Sequence, residues 1–235
     1  MHIPDGYLGP ATYGASYAAM VPFWAMASRR LGQSLKSRQV PQLALGSAFS
    51  FIIMMFNVPI PGGTTGHAVG AVLVAVLLGP WAACLAVTTA LVVQALMFGD
   101  GGLTALGANC LTMAVIMPFA GWGLYRLVAG KAPPESRRHW LGAAVGGYVG
   151  LNAAALVTAV LFGLQPILAH NAAGQPLYAP YPLSVAVPVM AFEHLAVFGW
   201  VEALVTALVV AYLQRHAPEL LAGSRPAAVT TGDTP

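Results

Sequence analysis

Residues 67–98 read HAVGAVLVAVLLGPWAACLAVTTALVVQALMF, an almost wholly apolar run with Gly79-Pro80 near its middle. One bilayer-spanning helix takes ~20 residues, so the run is too long for a single ordinary span. A proline inside a helix removes a donor and clashes with the preceding turn, which makes Gly79-Pro80 a natural break. Charge decides whether the run counts once or twice. The basic residues fall into three clusters: Arg29, Arg30, Lys36 and Arg38; Arg126, Lys131, Arg137 and Arg138; and Arg215 with Arg225. Short cytoplasmic loops carry the excess of Lys and Arg. Counted as one span, residues 67–98 put the second cluster opposite the first. Counted as two, they give seven spans with every cluster on one side. The expectation is therefore an all-α polytopic membrane protein with seven transmembrane helices, the third short and broken at Gly79-Pro80. Its N-terminus is extracellular and its C-terminus cytoplasmic.

The other apolar runs are approximately 9–28, 41–57, 105–127, 140–163 and 184–213. Across the 235 residues 58% are hydrophobic and 7% charged, too few charges to cover a water-facing surface. That excludes a soluble enzyme and a disordered chain. Lipid admits only helices or closed barrels, and continuous rather than alternating apolar residues exclude the barrel. The net charge of +3 sits between spans and is no nucleic-acid signal. Cys84 and Cys110 lie in apolar stretches and give neither a disulfide framework nor a zinc spacing. The opening Met-His-Ile-Pro-Asp-Gly-Tyr lacks a basic stretch and an early apolar core, so no cleavable signal peptide is expected and the native start is retained. One integral domain is expected over residues 1–220, with 1–8 as its N-terminal segment and 221–235 as a flexible cytoplasmic tail.

A short span preceded by residues 57–67, NVPIPGGTTGH, points to a cavity, because irregular backbone at membrane depth must line one. The free amine of Met1, the His2 amide nitrogen and His2 Nδ1 can together close a five- and a six-membered chelate ring. A deprotonated amide is a strong in-plane donor that favours square-planar ions such as Ni(II) and Cu(II). One more nitrogen completes a planar set, and His67, at the mouth of the broken span on the same face, is the obvious supplier.

The stretches Met-His-Ile-Pro-Asp-Gly-Tyr-Leu at 1–8, Gly-Gly-Thr-Thr-Gly-His at 62–67 and Gly-Ala-Asn at 107–109 closely resemble the CbiM/NikM family over essentially the whole chain. These are substrate-binding (S) components of energy-coupling-factor transporters for cobalt and nickel. The resemblance implies a seven-helix protein whose N-terminal segment inserts into the core. There the Met1 amine, the His2 amide and imidazole and the His67 imidazole hold the metal. It also implies the partners: a coupling transmembrane (T) subunit, two ATPase (A) subunits and a small accessory membrane subunit. The setting would be the inner membrane of a prokaryote, with cobalt uptake serving cobalamin biosynthesis. No prosthetic group is implied; Co(II) or Ni(II) is the cargo, and overall similarity leans to cobalt. The chain has no ATP-binding loop of its own, since Gly130-Lys131 is followed by Ala132.

Asn57, Thr64 and Thr65 flank His67 and are candidates to orient its ring or the N-terminal segment. Asp5-Gly6 reads as a turn, and Asp100-Gly101-Gly102 as an external turn able to clasp that segment. Glu193-His194 is an ionisable pair inside the last span, where such groups are costly, and has either a structural or a proton-accepting role. Glu202 is half a helical turn out of phase with Glu193 and is expected to contact a partner helix. His139 and His216 read as ordinary interfacial residues, His170 as a loop residue, and Met54, Met55, Met97, Met113 and Met117 as core. Small residues recur at Gly142, Gly146, Gly150 and Ala154, and at Gly199, Ala203, Ala207 and Ala211, faces for close helix contact. Two competing readings are an intramembrane metalloenzyme using His67, His194 and Glu193, and a passive channel with several weak sites. Only the capture subunit needs the amine.

Overall fold

The computed structural model of the protein describes residues 1–34 and 39–222. Lys36, Arg38, Arg225 and the expected tail from residue 223 onward lie outside them.

The run at 67–98 divides where expected. Helix α3 (Ala71–Leu78) ends at Gly79, whose φ of 88° and ψ of 158° suit only glycine. Pro80 then opens α4 (Pro80–Val93) at a position whose N–H would have no intrahelical acceptor anyway. The helix continues as a π-helical segment, π1 (Gln94–Phe98). Before α3 come α1 (Pro10–Ser34), α2 (Gln39–Met54) and a small antiparallel ladder of β1 (Val58–Pro59) with β2 (Thr65–Gly66). After α4 the rod α5 (Leu106–Asn109), π2 (Cys110–Ile116) and α6 (Met117–Ala129) leads to α7 (Arg138–Gly163) and α8 (Gln165–Leu168). The last long rod is α9 (Leu183–Glu193), π3 (His194–Phe198) and α10 (Gly199–His216), followed by α11 (Pro218–Ala222).

Four of these rods are long and apolar enough to cross a membrane: Pro80–Phe98, Leu106–Ala129, Arg138–Leu168 and Leu183–His216. Val40–Met54 is a shorter apolar helix. The small-residue stripes are seams inside the chain. A Cβ on Gly146 would lie 2.4 Å from Gly121 O, so α6 and α7 touch backbone to backbone. The second stripe faces α7 in the same way, with the Gly147 position 3.4 Å from Ala203 Cα.

Hydrogen bonds gather the loops at two ends. At one end Gln214 reaches Pro134 O and Ser136 O, and Arg138 reaches Val128 O. At the other, the N-terminal segment meets residues 57–67, 99–105 and 165–179. Two expectations change here. His139 is buried rather than interfacial, its Nδ1 paired with Tyr125 Oη at 2.9 Å and its Nε2 with Ala132 O at 3.3 Å, because α6 and α7 fold over it. Met54, Met113 and Met117 are core, whereas Met55 and Met97 are exposed.

Candidate metal centre

The first three residues are buried: Met1 and Ile3 are inaccessible and His2 nearly so. Short-range helix chemistry does not hold them there; distant side chains do. Asn109, at the end of α5, accepts from Ile3 N at 2.9 Å and donates to Ile3 O at 3.0 Å and Gly101 O at 2.7 Å. The Asp5 carboxylate accepts from Leu103 N at 3.1 Å, from Thr104 N at 2.7 Å and from the Thr104 hydroxyl. Those bonds, the hydroxyl's first, hold its pKa below the usual carboxylate range. Ala179 N donates to Tyr7 O, and Gly9 N to Gln165 Oε1.

So anchored, the segment delivers its nitrogens to the loop before α3. The Met1 amine donates to Thr65 O and, at 2.9 Å, to Thr65 Oγ1. The His2 and His67 rings stack with centroids 4.6 Å apart and planes 24° from parallel. His67 Nδ1 lies 3.0 Å from Ala68 O, which fixes the proton on Nδ1 and turns the bare Nε2 inward, buried and without a partner. Both ring nitrogens of His2 are likewise buried without a hydrogen bond, although Asp100 Oδ1 stands 3.5 Å from Nδ1. Burial lowers the Met1 amine to about 4, against the opposing pull of Asp100 and Glu193. Burial, and then the charge of that amine, lowers His2 to about 3. Both are therefore uncharged near neutrality, the state in which a nitrogen offers a lone pair.

Among the described residues no three His, Cys, Asp or Glu side chains form a metal-holding group. Any ion here would rely on main-chain nitrogens beside the two imidazoles. His67, His194 and Glu193 form no such metal-holding group.

Of the expected supporting residues, Thr65 and, through Asp100, Asn57 act on the N-terminal segment, one of the two roles expected of them. Thr65 holds the amine. Asn57 Nδ2 donates to Asp100 Oδ2 at 3.1 Å, so Asp100 is a clasp between the loop and His2. Thr64 faces Met190 Sδ at 3.9 Å. Glu202 meets the loop of its own chain, accepting from Val69 N at 2.8 Å and from Gly70 N at 3.0 and 3.1 Å. A carboxylate beside two free main-chain donors at a helix start explains that placement.

Asn109 and Gln94 have functional positions that sequence reasoning did not assign. Gln94 stands beside the His2 ring, its Oε1 buried without a donor. The available signal was a lone amide in an apolar run, a costly placement unless it is bonded.

Residues 2–220 match the CbiM family, described as the cobalt uptake substrate-specific transmembrane region. The chain belongs to this family. CbiM-family relatives include a fused nickel transport protein NikMN of Rhodobacter capsulatus, 58% identical over 96% of this chain and 65% of its own length. A probable fused nickel transport protein LarMN of Lactiplantibacillus plantarum is 53% identical over 93% of this chain and 66% of its own. The chain thus spans slightly under two thirds of these fused relatives. A cobalt transport protein CbiM of Chlorobium limicola is 30% identical over 95% of this chain and 85% of its own. A crystal structure of a truncated transition metal transporter superposes with a TM-score of 0.88 at 57% identity, covering 92% of this CbiM-family chain and 99% of that one. The chain is accordingly a member of a cobalt and nickel transport family, with helices fit for a membrane.

Proposed function

We propose that this chain is the substrate-capture (S) component of an energy-coupling-factor importer, binding one Ni(II) or Co(II) ion. The ligands are the Met1 amine, the His2 amide nitrogen, His2 Nδ1 and His67 Nε2. The stacking of His2 on His67 carries the reading. At metal–nitrogen distances of about 2.0 Å, neighbouring nitrogens of a square lie about 2.8 Å apart. Two imidazoles in adjacent corners lie side by side, a proximity that rings with centroids 4.6 Å apart already have, and the His67 ring turns to reach the ion. In opposite corners they would point end to end.

Binding displaces the amide proton of His2, and the bonds of the amine to Thr65 give way to the ion. His2, ligated through Nδ1, then has a proton on Nε2 that needs an acceptor, which the orphaned Gln94 Oε1 supplies. A planar nitrogen set ranks Ni(II) above Co(II). The 58% and 53% identical relatives carry nickel in their names, whereas the cobalt-named Chlorobium relative is 30% identical. Together these move the expectation from cobalt to nickel.

Seven spans with the site facing outward, in the inner membrane of a prokaryote, complete the proposal. Reorientation would be driven by a T subunit and two ATPase subunits, with a small accessory membrane subunit. The test compares metal binding by protein starting at Met1 with a version carrying six residues ahead of it. One ion per chain is expected for the first alone, with Ni(II) displacing Co(II). Equal binding by the extended protein would overturn the chelate.

A further inference from the structure

His194 has no part in the chelate, yet it has the chemical form of a ligand. It is wholly buried in an apolar rod, with Nδ1 2.8 Å from Met190 O and Nε2 buried without a partner. Its Nδ1 thus carries the proton and its Nε2 keeps an unused lone pair, the arrangement found at His67. Metal-ligating histidines characteristically tie the other ring nitrogen to a carbonyl in this way. Buried side-chain nitrogens otherwise find partners.

Position points the same way. The loop carrying His67 lies against the helix face that carries His194. A Cβ on Gly63 would lie 2.8 Å from Met190 Sδ, and one on Gly66 1.9 Å from Phe198 Cε2. The Phe198 ring in turn is 5.6 Å from the ring of His194, which is within electrostatic range of His67. His194 also opens π3, and the other two π-helical segments start beside the site: Gln94, next to His2, opens π1, and Asn109, which holds Ile3, immediately precedes π2. Such bulges gather at functional sites because the extra residue re-aims a side chain that a regular helix would direct elsewhere.

We propose that His194 Nε2 is a second position for a divalent first-row ion, weaker than the N-terminal chelate, which takes the ion from His67 as it leaves the N-terminus. The proposal rests on the chelate reading above. In the exchange a metal–Nε2 bond to His194 forms as the bonds to the amine, the His2 amide and His2 Nδ1 break. The amide regains its proton from water, which also completes the coordination of the ion.

The experiment uses full-length protein with and without six residues ahead of Met1, each with His194 or with His194→Gln, which retains a donor for Met190 O. The extended protein, its chelate blocked, should bind one Zn(II) weakly, and His194→Gln should weaken that binding at least tenfold. With the native start, His194→Gln should retain the tight Ni(II) equivalent and lower Ni(II) uptake at least tenfold in cells containing the complete transporter. Unchanged weak binding or unchanged uptake overturns the proposal. So does loss of the tight equivalent, which would make His194 a part of the fold or of the first site. Failure of the chelate reading would be visible separately, as tight Ni(II) binding by the extended protein with His194 intact.

Discussion

Asn109→Ala removes three buried hydrogen bonds at once, to Ile3 N, Ile3 O and Gly101 O. Each such bond contributes about 0.5–1.5 kcal/mol net, so the docked N-terminal segment loses about 2–4 kcal/mol. The segment keeps its ties through Asp5, Tyr7 and Gly9, and the loss therefore populates an undocked state rather than unfolding the helices. Apparent affinity falls in proportion to the docked fraction, and 1.4 kcal/mol corresponds to tenfold. The expected result is Ni(II) binding weaker by up to about thirty- to several-hundredfold, the factor to which about 2–4 kcal/mol corresponds. Calorimetric titration of purified protein measures it, and hydrogen exchange over residues 1–9 should rise in the metal-free variant. Asn171→Ala is the control. Asn171 also makes three hydrogen bonds, but on an exposed loop and to residues 173 and 175, so binding should not move. An Asn109→Ala protein that binds Ni(II) within threefold of the parent would refute the view that this side chain holds the segment in place.

Glu202→Gln puts an amide group where only acceptors serve Val69 N and Gly70 N. Hydrogen bonds to charged groups contribute about 1.5–3 kcal/mol each, so thermal stability should drop, and faster exchange at Val69 and Gly70 would locate the damage. Gly66→Ala places a methyl inside the Phe198 ring and should destabilise by about 1–3 kcal/mol, with Phe198→Leu restoring melting temperature in the double variant. The acidity of Asp5 is raised by folding, so its contribution is present above the unfolded carboxylate range and lost as pH falls through the lower folded value. Melting curves of the parent and Asp5→Asn should therefore differ at pH 7 and converge below about pH 4; a constant gap would disprove the assignment.

The break at Gly79-Pro80, the helical class and the chelate rings open to Met1 and His2 were legible in the chain because each rests on local chemistry, whereas insertion of that segment beside His67 came from the family resemblance. Proline geometry, apolar run length and chelate-ring size need no knowledge of the fold. What was not legible depends on which distant groups meet. Thr65 was expected to orient either the His67 ring or the N-terminal segment, and only the fold decides that it holds the Met1 amine. Glu202 was expected to contact another helix and instead serves two amides of the loop before α3. Nothing in a helical period tells that residue 202 faces residue 69. Asn109 stood in a recognisable motif, yet its partners, the backbone of Ile3 and Gly101, have no side-chain signature. The π-helical segments were equally hidden, since one extra residue per turn leaves the apolar pattern almost unaltered.

The placement of Glu202 also bears on how the protein is made. A chain leaves the ribosome from its N-terminus, and contacts distant in sequence close late. The pocket around His67 joins residues 64, 106 and 133 positions apart. The first residues synthesised thus wait for a carboxylate in the last long rod before the backbone beside His67 is fixed. Chains stopped before residue 202 can contain every nitrogen of the chelate and still lack the shape that brings them together. Competence for metal is in this sense a checkpoint on complete synthesis and insertion.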